Sequence, residues 1–169
     1  MIVREARIQD AEDIARVQVD TWRVAYRGIM PDSHLAALDL AARVEMWRSV
    51  VDRPDAIAPR VAVVDDRVVG FVAAGPAGEA GGERAAEGQI FAIYVDAAWW
   101  GRGVGAVLLE AARTALRAAG FREARLWVLA DNVRARAFYG RHGWVPDGVE
   151  QHEDFGGVVL TEVRYRCEL

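Results

Sequence analysis

Apolar and polar residues alternate over Ile2–Arg7, a spacing that predicts a strand. From Asp10 the spacing changes. Ala11, Ile14, Ala15, Val19 and Trp22 share one helical face, predicting a helix to about Tyr26 with Asp10 as its cap and Asp13 supporting the first turn. Gly28–Asp32 breaks that helix, and a second helical region is predicted over Ser33–Val51. Pro54 and Pro59 mark Asp52–Pro59 as a loop. Arg60–Asp65 and Arg67–Ala74 read as a hairpin turning at Asp65-Asp66. Gly75–Gly88, rich in Gly, Ala and Glu and without periodicity, reads as a mobile loop, and Gln89–Val95 as a strongly apolar strand.

The best helical pattern in the chain is Gly103–Ala119, in which Val107, Leu108, Ala111, Ala115 and Leu116 keep the period and Gly120 stops it. Ala124–Leu129 follows as a strand, then Val133–His142 as a helix stopped by Gly143, then Trp144–Val149 and Val158–Cys167 as closing strands. The predicted order is β-α-α-β-β-β-α-β-α-β-β, an α/β layered domain with no internal repeat, spanning residues 1–169 as one unit.

Composition narrows the chemistry. With 53% hydrophobic and 27% charged residues, the chain can bury a sizeable core. No apolar run is long enough for a membrane span, and Met1–Glu5 does not open a secretory signal, so a cytoplasmic location is expected. A net charge of -4 argues against a nucleic-acid footprint over the whole surface. All 21 basic residues are arginines. Without lysine there is neither a Schiff-base nucleophile nor the lysine of a phosphate-binding Gly-x-x-x-x-Gly-Lys loop. The single cysteine, Cys167, excludes an internal disulfide, and the dispersed His34, His142 and His152 suggest no metal site.

Chemistry concentrates in Trp100-Gly101-Arg102-Gly103-Val104-Gly105-Ala106, which follows an apolar strand and opens the long helix. Glycines there let successive N–H groups converge, and the helix N-terminus favours a phosphate or pyrophosphate. The loop admits three readings: a structural turn, a dinucleotide fingerprint (Gly101-x-Gly103-x-x-Ala106), or a coenzyme A site. Against the fingerprint, Asp96–Trp100 separate strand from loop, and the motif lies past mid-chain.

Gln89–Leu109 together with Asp131–Trp144 resembles the GNAT family of N-acetyltransferases. Gly103 and Gly105 match the glycines of the family's Gln/Arg-x-x-Gly-x-Gly/Ala loop, although Trp100 stands where Gln or Arg is common. Asn132, Ala135, Phe138, Tyr139, Gly143 and Trp144 fit its second signature, Asn-x-x-Ala-x-x-Phe-Tyr-x-x-x-Gly-Phe. The resemblance implies a mixed, mostly antiparallel sheet of about seven strands with about four helices.

It also implies acetyl-CoA as acyl donor, bound by Ile93, Tyr94, Val95, Arg102, Gly103, Val104, Gly105, Ala106 and Asn132, with strands Gln89–Val95 and Ala124–Leu129 splayed to admit the pantetheine arm and a main-chain N–H near Val95 polarising the thioester. Tyr139 would be the general acid to the leaving thiolate. No carboxylate matches the common base: Gln89 occupies that position, Glu87 lies two residues upstream, and Glu150, His152, Glu153 and Asp154 are further candidates or a solvated acidic turn. Trp22 and Tyr26 are candidate walls of the acceptor pocket or ordinary core residues. The expected partner is an amine of unspecified identity, with homodimerisation common among relatives. The competing function is a catalytically silent acyl-CoA-binding sensor.

Overall fold

The structure is a computed structural model that describes residues 1–54, 56–78 and 87–169. A mixed sheet runs in the order β1-β2-β3-β4-β5-β7-β6. Its strands are β1 (Ile2–Glu5), β2 (Arg60–Val64), β3 (Arg67–Pro76), β4 (Gly88–Val95), β5 (Glu123–Leu129), β6 (Val145–Phe155) and β7 (Val158–Glu168). Among the described strands, β4 and β5 pair in parallel and the other neighbours are antiparallel. The helix α4 (Val104–Ala118) makes the crossover that a parallel pair requires.

Two helical layers cover the sheet. α1 (Ala11–Ala25) and α3 (Leu40–Val51) bury Ile14, Val17, Val44 and Trp47 against Val61 and Phe71. α4 buries Leu108, Leu109 and Leu116 against Val72, Ile90 and Leu126, joined by α5 (Val133–Arg141) through Tyr139. No helix among the described residues is long and apolar enough to cross a membrane.

Four expectations change. Ser33–Val51 is two helices, α2 (Asp32–Ala36) and α3, because the Asp39 carboxylate accepts from the Ala41 and Ala42 N–H groups and starts a new helix. Among the described residues this gives five α-helices. Asp10 does not cap α1 with its side chain. Its carboxylate instead accepts from Arg4 at 2.6 and 2.9 Å and from the Arg7 N–H at 2.7 Å, tying β1 to the turn before α1. Finally, β3 extends to Pro76 and β6 runs to Phe155, so Gly75 and the acidic segment after Val149 are strand, while residues 79–86 of the expected loop lie outside the described residues.

The Asp65-Asp66 turn is as expected. Both residues have positive φ, 48° and 59°, the two-residue geometry that matches strand twist in a hairpin.

Candidate active site

The ladder between β4 and β5 stops early: Gly88–Ile90 pair with Ala124–Leu126, and beyond them the two strands part. A bulge in β4 lies at this point, since Ala73 faces Ala92 while Ala74 faces Ile90, leaving Phe91 unpaired. Past the bulge the alternation of the antiparallel ladder decides which groups face the gap. The Asp96 N–H donates to Val69 O, so Gly70 and Val95 form a non-hydrogen-bonded pair. Ile93 and Val95 therefore turn their N–H and C=O groups away from β3, into the space left by β5. The Val95 carbonyl is already engaged, accepting from Trp100 Nε1 at 2.6 Å and from Thr21 Oγ1 at 3.2 Å. The N–H groups of Ile93 and Val95 remain as donors along an open strand edge.

A cleft of about 770 Å3 fills this gap, within the range of small-ligand pockets. One end reaches the glycine loop. Gly103 caps α4 at φ 82°, a conformation open to glycine, and Gly105 lies so close to α5 that an added Cβ would stand 3.3 Å from Phe138 Cζ. Gly101, Gly103, Val104, Gly105 and Ala106 all border the cleft, where the first N–H groups of α4 lack helical partners. Trp100 does more than replace a polar residue. It ties the loop to the end of β4, and the Arg134 guanidinium lies 3.3 Å above its ring centroid. Arg102, expected to reach the cofactor, stacks on Trp99 at 5.0 Å and does not border the cleft.

The middle of the cleft is walled by α5. Asn132 Oδ1 accepts from the Ala135 N–H at 3.1 Å, so this side chain is an N-cap and also a lining group. Two turns on, Tyr139 is buried among Phe138, Trp144 and Tyr165. Burial, assisted by Tyr94, pushes its phenol well above the ordinary tyrosine value. It keeps its proton at any physiological pH.

The other end is aromatic and acidic. Trp22 meets Tyr26 edge-on at 5.3 Å and Tyr94 at 6.2 Å, and the Tyr26 and Tyr94 hydroxyls are 3.5 Å apart. Burial raises both tyrosines. The Trp22 indole N–H is buried without a partner. Thus Trp22 and Tyr26, paired in the sequence only by helical spacing, form one wall with Tyr94.

The expected bases separate by geometry. Side chains alternate along β6, so Gln151, Glu153 and Phe155 border the cleft whereas Glu150, His152 and Asp154 do not. Glu87 is also outside it. Its carboxylate accepts from Arg166 Nε at 2.8 Å and lies 3.7 Å from Arg125, committed to an ion-pair cluster on the sheet. Gln89 borders the cleft and accepts from Arg125 Nε at 2.9 Å. Sequence reasoning missed Glu162, a lining carboxylate on β7. The sequence carried little signal for it: in the strand read as Val158–Cys167, Glu162 shares the face of Arg164 and Arg166, opposite Val163, Tyr165 and Cys167. Among the described residues, no group of three His, Cys, Asp or Glu side chains is placed to hold a metal.

Comparison with known proteins gives a consistent picture. The model of the acetyltransferase (GNAT) family matches residues 17–144. The chain is 32% identical over 164 residues to the uncharacterised N-acetyltransferase YuaI of Bacillus subtilis, covering 95% of this chain and 89% of that one. Among solved structures, a ribosomal-protein-alanine N-acetyltransferase from Brucella melitensis superposes with a TM-score of 0.79 at 20% identity over 100% of both chains. An N-acetyltransferase, PaiA, from Thermoplasma acidophilum, in complex with coenzyme A, superposes with a TM-score of 0.73 at 18% identity, covering 99% of this chain and 98% of that one.

Proposed function

The chain belongs to the GNAT acetyltransferase family, and on that premise we propose that it moves the acetyl group of acetyl-CoA to a primary amine by direct attack within a ternary complex. The observation that carries this reading is the parting of β4 and β5 past Ile90, which turns the Ile93 and Val95 N–H groups into a cleft ending at the helix α4 glycine loop. An arm bearing amides pairs with such an edge as an added strand would. A pyrophosphate is received by the loop N–H groups and the start of α4. A donor from β4 pointing at the acyl carbonyl stabilises the charge that develops on it. The solved PaiA complex with coenzyme A supports the choice of ligand.

Tyr139 acts on the leaving sulfur. Its proton is held more tightly than a thiol's, so outright donation to a thiolate would run uphill. The phenol therefore works as a relay, giving its proton to sulfur as it gains one from the attacking nitrogen. Asn132 and Ala135 hold the helix that presents it.

The direct test is calorimetric titration with acetyl-CoA, with NADH as control, followed by CoA release on adding amines. Saturable binding of acetyl-CoA and turnover of an amine are expected. Binding without any turnover would favour the silent sensor, and binding of NADH alone would make the loop a dinucleotide site.

A further inference from the structure

Glu162 lies on β7, opposite Leu129 of β5 and Gln151 of β6. Gln151 Nε2 donates to its Oε2 at 2.6 Å. Its carboxylate borders the same end of the cleft as Glu153, Trp22, Tyr26 and Tyr94. Building on the acetyl-transfer reading above, we propose that Glu162 receives the acceptor's ammonium and takes its proton, and that the acceptor is a cationic amine without a carboxylate.

Charge is divided along the cleft. Its lining guanidiniums, Arg134 and Arg141, both come from α5, and Arg134 sits on Trp100 beside the glycine loop. At the aromatic end the lining charges are Glu153 and Glu162. The guanidiniums nearby are otherwise placed. Arg43 lies over Trp22 at 5.5 Å but borders a separate depression with His34 and Met46, and Arg164 is paired with Asp147 at 2.7 Å. Arg43 is near enough to act on Tyr94 from behind Trp22, but among the described residues no guanidinium lines this end of the cleft, so an acceptor carboxylate would meet two carboxylates in a partly desolvated space. An ammonium would meet both charges and the faces of Trp22 and Tyr26, and its aliphatic stem would pack on the same rings.

The groups facing Glu162 are Gln151 and Glu153 from β6, Tyr26 from α1 and Tyr94 from β4. Burial raises the proton affinity of the carboxylate, Glu153 adds to that, and the Gln151 N–H favours the ionised form. The result is a base stronger than an exposed glutamate.

Protons balance as follows. Glu162 takes the first ammonium proton and later passes it to water. The free amine forms the C–N bond at the thioester carbonyl and the C–S bond breaks. The second nitrogen proton goes to Tyr139, whose own proton goes to the sulfur.

The test uses the full chain, with CoA release followed from 1,4-diaminobutane, n-butylamine, glycine and glutamate across pH, and acetyl-CoA binding followed by calorimetry. The wild type is expected to favour the two alkylamines over the amino acids by about tenfold or more in kcat/KM, one bound charge reversed. Glu162→Gln is expected to bind acetyl-CoA unchanged, to lose about 100-fold in kcat/KM, and to lose the acid limb of the pH profile. Gln151→Met leaves the carboxylate but removes the bond that favours its ionised form, so the acid limb should move to higher pH, which a purely structural role would not cause. A Glu162→Gln enzyme within about threefold of wild type with the same limb overturns the assignment. Preference for amino acids, or no turnover of any alkylamine by a protein that binds acetyl-CoA, overturns the cationic acceptor. Failure to bind acetyl-CoA is a separate result that overturns the acetyl-transfer reading, and the proposal with it.

Discussion

At Tyr139 core packing and the proposed proton relay fall on one residue. It packs on Trp144 and Tyr165 with centroids 6.3 and 6.2 Å away, yet its side chain borders the cleft. Tyr139→Phe keeps that packing and removes only the relay. We expect acetyl-CoA affinity and melting temperature to hold while kcat falls about 100-fold. A steady-state rate equal to wild type would take Tyr139 out of the chemistry. Asp10 shows the opposite case, a charged residue with a structural task. Its carboxyl is held below the ordinary aspartate range chiefly by the Arg4 hydrogen bonds, with its side chain only 7% exposed. A depressed folded value adds stability that is complete above the unfolded value and vanishes as pH falls through the folded one. Asp10→Asn should therefore cost about 1–3 kcal/mol at neutral pH. In urea unfolding, the two proteins should begin to draw together below about pH 4 and converge only as pH falls through the lower folded value. A constant difference across that range would contradict the ion-pair account.

At the scale of elements, the glycine loop and its helix were fully legible, because their signal is local: a strand, a turn with positive φ at Gly101 and Gly103, and a periodic helix. Local signals also marked Asn132 and the Asp65-Asp66 turn. What the sequence did not disclose depends on register. Which of Glu150, Gln151, His152, Glu153 and Asp154 faces the cleft is decided by the pairing of β6 with β7, which shifts between Pro146 and Glu150. Glu87 was a candidate two residues upstream of Gln89, but Arg166, 79 residues away in sequence, captures it. The roles of Trp100 and Glu162 likewise rest on contacts between distant segments. The loop itself offers a sharp test. Gly103→Val forces a branched residue to φ 82°, and Gly105→Val drives a side chain into Phe138. Each should weaken acetyl-CoA binding by about tenfold or more, as loss of a nested phosphate contact would. Calorimetry on variants that still melt cooperatively checks this, and unchanged affinity would remove the loop from the cofactor site.

For the molecule as a whole, the sheet is one body with a deliberate gap. Seven strands pair in the order β1-β2-β3-β4-β5-β7-β6, and the ladder between β4 and β5 ends after Ile90, leaving the rest of β4 an open edge. A sheet interior normally satisfies every backbone group, so the open edge is a cost that a bound ligand can relieve. This leads to a pattern of amide exchange that alternates residue by residue. Tyr94 and Ala92 face Phe71 and Ala73 as hydrogen-bonded pairs, whereas Ile93 and Val95 face the gap. In the free protein, the amides of Ala92 and Tyr94 should exchange slowly and those of Ile93 and Val95 faster. Saturating acetyl-CoA should slow Ile93 and Val95 selectively, because an amide-bearing arm would complete the strand edge there. It should also raise global stability by about 2.7 kcal/mol at a hundredfold excess over Kd. Uniform slowing of all four amides would report that global gain alone and place the arm elsewhere. Alternating protection, read by NMR in the two states, would place it between β4 and β5.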